Sequence, residues 1–336
     1  MRVLILSDAD VHAALDRDAC ERAMAAVLVQ RAHGRADNPL RTVSAPAGAA
    51  GFMGLMPAYV SGDGAPAPDA AFGLKAICLM PGNPRLGLDT HQGTVTLFDG
   101  DTGIPSAILN AAAITEIRTA AVTALATREL ARGDAAVLGI LGAGVQARSH
   151  LHALAGVRPW SEIRIYAPTA AQARAAASDV VAAGAQVPEP RVAATAREAL
   201  DGADVVVTVT SSREPVLEHA WLAAGAHVNA IGASGLSAQE LPVATVAAAA
   251  LFCDSRESLQ AEAADYQSAV REGAIAGPEH VRAELGEVLA GLRPGRRGPE
   301  ELTMFRSLGI GVEDLAAARA AVAAARELGL GVEVEL

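Results

Sequence analysis

The stretch "AAVLGILGAGVQARSHL", residues 135–151, passes from an apolar run through two glycines straight into a helix-forming segment. A Val/Ile/Leu run of this kind reads as a strand buried on both faces, which is the habit of parallel rather than antiparallel sheets. Gly142, Gly144 and Ala147 stand in a G-x-G-x-x-A arrangement. Gly142 makes the tight turn, Gly144 lets backbone amides reach a pyrophosphate, and Ala147 lets helix and strand pack closely. Alone the pattern also fits a merely structural turn. Here it is followed by "EIRIYAP", "TAAQARAAASDVVAAG", "VPEPRVAA", "AREALDGA", "DVVVTVTSS", "HVNAIG" and "ALFCDS", strands alternating with amphipathic helices. The alternation predicts a Rossmann-type, doubly wound parallel sheet over residues 119–304, so the fold class is α/β and the turn is a nucleotide site.

A carboxylate at the end of the second strand would grip the ribose of NAD, but "IRIYAPTAAQAR" places Ala167, Pro168 and Thr169 there, with Arg174 one turn on. Nothing in that stretch repels a 2′-phosphate, and Thr169 and Arg174 can bind one, so NADP(H) is slightly favoured over NAD(H).

Residues 1–118 read differently. One helix over "DADVHAALDRDACERAMAAVLVQRAHG" is followed by short β-like runs between Pro/Gly turns, among them "FMGLMPAYV", "AFGLKAICLM", "GTVTLFDGDTG" and "IPSAILN". "FDGDTGIP" is a hairpin turn, since Asp and Gly tolerate the backbone angles required. The region reads as an α+β substrate-type domain, and the helical tail "GVEDLAAARAAVAAARELG" can return to it. Inside one of the apolar runs stands Lys75. A buried ammonium without a partner costs several kcal/mol, roughly, so this lysine shifts its pKa or has a charged partner, unless it snorkels at a strand end.

The formal net charge is −11 and the only basic run, "RPGRR" at Arg293 to Arg297, is short and loop-like, which argues against nucleic acid. Three scattered cysteines, Cys20, Cys78 and Cys253, and histidines without ligand spacing support neither disulfides nor a metal, and a reducing cytoplasm fits. The first residues, "MRVLILSDADVHAAL", are unlike a signal peptide, and no apolar run is long enough for a membrane span.

The motifs together resemble the ornithine cyclodeaminase/μ-crystallin family over nearly the whole chain, on "GLKAICLMPGNPRLGLDTHQGTVTLFDGDTGIPSAIL", "ITEIRTAAVTALATRELAR", "GILGAGVQARSHLHAL", "HVNAIGASGLSAQEL", "FCDSRESLQAEAADY" and "LTMFRSLGIGVEDLA". The resemblance implies a homodimer in which residues 1–118 and 305–336 bind substrate and dimerise, while 119–304 bind NAD(H) or NADP(H). It implies that Lys75 and Arg41 line the substrate site, with Arg118 near substrate carboxylate and cofactor and Leu308 against the substrate. Thr90, Thr119, Val145, Gln146, Ala167, Thr169, Thr210, Val228, Asn229, Ala230, Ile231 and Ser307 are then cofactor contacts beside Gly142, Gly144 and Arg118. Two arginines suit a substrate carboxylate, and a strongly positive pocket would depress the pKa of Lys75 and let it exchange a proton with an imine nitrogen as hydride moves.

One departure bears on the reaction. The cyclodeaminases carry an aspartate just after "NA(V/I)GG" and a basic residue four positions later, where this chain has Ser234 and Ala238. That favours a ketimine reductase or amino-acid dehydrogenase acting on a small imino or amino acid. The alternatives are a cyclodeaminase-like ammonia lyase, with Glu240 or a water-borne acid replacing the aspartate, and a non-catalytic NADP(H)-bound binding protein. Of the other polar residues, Arg118 at an expected helix start has a surface salt bridge as its ordinary explanation. His91 reads as a polar neighbour more readily than as an acid/base, Asp254 as a turn cap or a ligand contact alike, and Asp314 as a structural residue opening the last helix. The loops "PAGAAGF" and "SGDGAPAPDAAFG" are the places where substrate side-chain preference would be set.

Overall fold

The computed structural model describes residues 1–62, 70–182 and 187–336, and its contacts divide the chain into two units: Met1–Thr119 with Gly309–Leu336, and Ala120–Leu308. The loop "SGDGAPAPDAAFG" lies largely outside the described residues. In the first unit, β1 (Arg2–Leu6) leads into α1 (Asp8–Ala14) and α2 (Arg17–Ala32). The sequence predicts a single helix here. Asp16 instead has extended backbone and accepts the Ala19 amide on its side chain at 2.7 Å, capping a second helix and ending the first.

Short strands β2 (Ala36–Asp37) and β3 (Thr42–Ser44) flank an antiparallel meander of β4 (Phe52–Val60), β5 (Ala71–Leu79), β6 (His91–Asp99) and β7 (Pro105–Asn110). The β6–β7 turn is held by Asp99, which accepts from the Thr102 amide (2.8 Å) and hydroxyl (2.6 Å), and β1 adds to β7 in parallel. Helix α3 (Ala111–Leu130) follows, and the boundary between the units falls inside it, after Thr119. Arg118 is therefore in mid-helix, and it is buried rather than exposed at a helix start.

The second unit alternates as its sequence does: β8 (Val137–Leu141), α4 (Val145–Leu154), β9 (Glu162–Tyr166), α5 (Ala170–Ala182), β10 (Arg191–Val192), α6 (Ala196–Leu200), β11 (Val205–Thr208), β12 (His227–Ala230), α7 (Val243–Ala248), β13 (Ala250–Cys253), α8 (Arg256–Glu262), α9 (Ala264–Arg271), β14 (Val281–Glu284), α10 (Leu285–Leu289) and β15 (Thr303–Arg306). All strands are parallel, in the order β10-β9-β8-β11-β12-β15-β13-β14. The chain winds outward in opposite directions from β8 and β11, so the switch point where such sheets take ligands lies at their carboxyl ends. β15 crosses the boundary expected at 304/305, and the unit runs to Leu308. Its pairing between β12 and β13 is what draws residues 305–308 in.

The chain returns to the first unit as α11 (Gly311–Leu328) and β16 (Val332–Glu335), which pairs with β1. α11 packs on α2 and on the sheet face carrying Met56, Lys75 and Val95. Contact is close because the sheet supplies glycine: a Cβ on Gly73 would lie 2.9 Å from Leu315 Cδ1. On the opposite face Met53 and Phe72 are exposed, and Leu55, Tyr59, Leu74 and Phe98 are only partly covered within the unit. Among the described residues, no helix is long and apolar enough to cross a membrane, and no His/Cys/Asp/Glu group is placed to hold a metal.

Gly73→Val should lift α11 from β5 and destabilise the protein by about 1–3 kcal/mol, the usual cost of overpacking. Gly54→Ala, whose new methyl would meet Ile77 Cγ2 at an ordinary 3.7 Å, should leave the urea midpoint nearly unchanged. Equal midpoints for the two variants would contradict this packing.

Candidate active site

Lys75 sits on the α11 side of β5 between Met56 and Val95, 3 % exposed. Its Nζ lies 2.7 Å from Asp314 Oδ2 and 3.4 Å from Thr115 Oγ1. Arg118 fills the next place, with Nε 3.0 Å from Asp314 Oδ1 and Nη1 3.0 Å from Glu313 Oε2. Both acids belong to the first turn of α11, where the helix dipole favours negative charge. Arg41 Nη2 donates to the Gly309 carbonyl at 2.8 Å, and a Cβ on Gly309, at φ +70°, would fall 2.6 Å from Arg118 Nη2. One turn of chain, Gly309 to Asp314, thus gathers Arg41, Arg118 and Lys75.

The lysine's pKa is lowered to about 8, first by burial, against the raising effect of Asp314, with Arg118 and Arg41 adding to the fall. Burial rather than the arginines is the main cause. Nor is the cluster strongly positive, since Asp314 and Glu313 offset much of the charge of Lys75, Arg41 and Arg118. Burial works to raise the Asp314 carboxyl, but Lys75 and Arg118 outweigh it and hold it below its ordinary value. Asp314 is a partner of the site and not only a helix-opening residue. His91, whose Nδ1 meets Thr90 Oγ1 at 3.0 Å, has its pKa lowered by burial and then by the charges of Lys75 and Arg118, so it is neutral at pH 7. Thr119 turns its hydroxyl onto the Thr115 carbonyl at 2.6 Å.

The second unit holds the glycine turn. Gly142 has φ +122°, and a Cβ there would lie 2.5 Å from the Val209 carbonyl. Gly144 caps α4 with open space around it, Val145 is exposed, and Ala147 is buried. The Gln146 carbonyl meets His150 Nδ1 at 2.7 Å, and His150 Nε2 meets Thr123 Oγ1 at 2.9 Å. A carbonyl only accepts, so Nδ1 carries the proton and Nε2 accepts from the threonine. Burial lowers the His150 pKa to about 4, so the ring stays neutral in this role. After β9, Ala167 is buried, Thr169 donates to Gln172 Oε1 at 2.6 Å, and Arg174 is exposed.

Val228, Asn229, Ala230 and Ile231 are buried. Asn229 spends its side-chain amide on Thr127 Oγ1 (3.0 Å) and His227 Nε2 (3.1 Å), within the fold. Asp254 accepts from the Leu308 amide (2.7 Å) and Ser307 hydroxyl (3.2 Å), so it fixes those two residues. Ser234 is exposed on the loop after β12. Glu240 is fully buried and accepts hydrogen bonds from Thr208, Thr210, Gly232 and Ala233, which removes it as the base that an ammonia lyase would need. Lys75, Arg41 and Arg118 are thus brought together in the first unit with Thr90 and Thr119, while the glycine turn, Ser234, Ser307 and Leu308 belong to the second. Sequence reasoning missed Glu313, His150 and Arg306. The signal available for Glu313 was its place beside Asp314 in an apolar, Ala-rich helix.

A model of the ornithine cyclodeaminase/mu-crystallin family matches residues 1–327. The chain belongs to this family. It is 38 % identical over 281 residues to the ketimine reductase mu-crystallin of Mus musculus, across 84 % of this chain and 83 % of that protein. The structure of Thermococcus litoralis Delta(1)-pyrroline-2-carboxylate reductase in complex with NADH and L-proline superposes with a TM-score of 0.93 at 33 % identity, covering 99 % of this chain and all (100 %) of that one. An archaeal alanine dehydrogenase dimer with bound NAD gives 0.91 at 33 % identity, covering 100 % of both chains.

Asp314→Asn should cost about 3–5 kcal/mol of stability by leaving buried cations short of a counter-charge. Asp314 raises the Lys75 pKa, so the variant lysine titrates below about 8. Above its pKa the amine is neutral and needs no partner. The deficit against wild type should therefore be large at pH 6.5 and smaller at pH 9.5 in urea denaturation, and a deficit that grows with pH would contradict the pairing.

Proposed function

We propose that this chain is an NAD(P)H-dependent oxidoreductase of the C–N bond of a small α-imino or α-amino acid, a ketimine reductase or amino-acid dehydrogenase. The observation that carries the reading is the buried ammonium of Lys75, tuned to about 8 and set beside two arginines on one turn. Arg41 and Arg118 would bind the substrate carboxylate, for which a planar guanidinium is the better fork. Lys75 would give a proton to the imine nitrogen in reduction, or take one from the amine in oxidation. The relatives' names, ketimine reductase and Delta(1)-pyrroline-2-carboxylate reductase, support the same substrate class.

The nicotinamide supplies or accepts the hydride. Gly142, Gly144 and the open first turn of α4 are suited to hold its pyrophosphate, and Val145, Gln146, Thr210, the backbone from Val228 to Ile231, and Ser307 would complete its site within the second unit. Thr169 and Arg174, with no carboxylate between them in sequence, lean the choice to NADP(H). Leu308 would bound the substrate. Ser234 lacks a base to activate it, and with Glu240 committed to its five hydrogen bonds net redox is favoured over ammonia elimination. The first unit, residues 1–119 and 309–336, would form a homodimer through the sheet face bearing Met53 and Phe72, whose apolar exposure suits a second copy. Cys20, Cys78 and Cys253, as thiols, suit a reducing cytoplasm.

Purified protein should consume NADPH, and NADH more slowly, when offered a panel of cyclic imino acids or 2-oxo acids with amines, followed at the nicotinamide absorbance. Lys75→Ala should lower kcat by about 10²–10⁴-fold, the range of a general acid, while still binding the dinucleotide. No turnover with any of the panel, in either direction, sinks the reading, and ammonia release from ornithine without net NAD(P)H would replace it with the lyase.

A further inference from the structure

Two turns leave the carboxyl ends of β11 and β12, the neighbouring strands that run from the switch point, and a single side chain holds both. Glu240 Oε1 accepts the Thr210 amide and hydroxyl, each at 2.7 Å. Its Oε2 accepts the Thr208 hydroxyl (2.9 Å), the Gly232 amide (2.7 Å) and the Ala233 amide (3.3 Å). Three of these five donors are backbone N–H groups, which can only donate and so favour the carboxylate, although burial, the largest influence on Glu240, pushes its pKa up against them. The turns are in direct backbone contact: a Cβ on Gly232 would fall 2.2 Å from the Thr210 carbonyl oxygen and 2.7 Å from Glu240 Oε1.

The carbonyls of the same loop are taken by a buried cation. Arg306 donates from Nη1 to the Ala230 and Ser307 carbonyls (3.1 and 3.0 Å) and from Nη2 to the Ala233 carbonyl, and its Nε is paired with Asp265 at 3.1 Å. Glu240 thus takes the Gly232 and Ala233 amides and Arg306 the Ala230 and Ala233 carbonyls, so fully buried charges hold the strand-end loop.

We infer that Glu240 is a positioning residue for the cofactor: by clamping Thr208–Thr210 to Gly232–Ala233, it sets the backbone surface on which the dinucleotide rests. This rests on the dinucleotide reading proposed above. Glu240 does not touch the substrate or the reacting atoms; it acts through Thr210 and the loop after β12. The same unit contains an internal control at the other end of the sheet. Asp204 accepts the Ala136 and Val137 amides (2.8 and 2.9 Å) at the start of β8 and pairs with Arg132, a comparable carboxylate clamp where no ligand is expected.

The test compares Glu240→Gln, Thr208→Val and Asp204→Asn in the full chain, with NADPH and NADH as probes. Measurements are the dissociation constants from nicotinamide fluorescence, the KM for cofactor and for imino acid, thermal midpoints, and amide exchange. Glu240→Gln turns an amide donor onto groups that are already donors. It should raise Kd and KM for the dinucleotide about tenfold or more, leave the imino acid KM within about twofold, and speed exchange in 208–210 and 230–233. Thr208→Val removes one donor from a strand that otherwise reads Val-Val-Val, folds whatever becomes of Glu240→Gln, and should move Kd in the same direction by about threefold. Asp204→Asn should lower the thermal midpoint yet keep Kd within about twofold.

Near-wild-type affinity in both Glu240→Gln and Thr208→Val, or an equal loss in Asp204→Asn, would overturn this role and leave the function standing. Wild-type protein that binds neither dinucleotide would overturn the function and this role together.

Discussion

The contact between Lys75 and Asp314, 2.7 Å apart and almost wholly out of water, sets the terms for the first unit. Apolar residues of the same volume would stabilise the fold as well or better, by about 1–4 kcal/mol, so such a pair is poorly explained by stability alone. It demands a helix that brings Asp314 down onto β5, and Gly73 makes room for that helix. It also demands a second cation: Asp314 gives its other oxygen to Arg118, which is in turn held by Glu313. The first turn of α11, the sheet and mid-α3 are therefore tied at one place. The result is an ammonium whose charge is easily lost, kept near the guanidinium groups of Arg118 and Arg41.

The second unit meets its own demand with the same means. A parallel sheet delivers backbone turns to the carboxyl ends of its strands, and those turns carry polar groups that need partners. Glu240, Arg306 and Asp254 supply them from inside, and His150 does so at the first turn of α4. None of these four has to touch a ligand. They hold backbone and hydroxyl groups in place, the main-chain surface on which the proposed cofactor would rest.

Much of this was legible in the sequence, for reasons that can be named. The glycine turn, the double-sided apolar strands and the helices between them follow from short-range periodicity, and they give the Rossmann-type unit directly. Lys75 stood out because it breaks an apolar run. Arg118 lies in mid-helix and not at a helix start because the helix begins at Ala111, directly after β7, with Asn110 accepting the Ala113 amide. Asp314 and Glu313 were opaque because their partners lie almost 200 residues or more away, and no local pattern reports such pairing. Glu240 looked like a spare acid because sequence shows a carboxylate but not the donors that saturate it. β14 and β15 were missed because "HVRAE" and "LTMFRS" carry charge in strands that are short and buried, where Arg306 hides its guanidinium in a ring of carbonyls.

The central claim, that Lys75 moves the proton at a pKa set by burial and moderated by Asp314, is tested most directly by the pH dependence of kcat/KM for imine reduction in the free enzyme. Reduction needs the protonated amine, so the rate should be full at pH 6.5 and fall tenfold per unit above a single ionisation near 8. A profile that stays flat to pH 10, or breaks only at the ordinary lysine value, would contradict it.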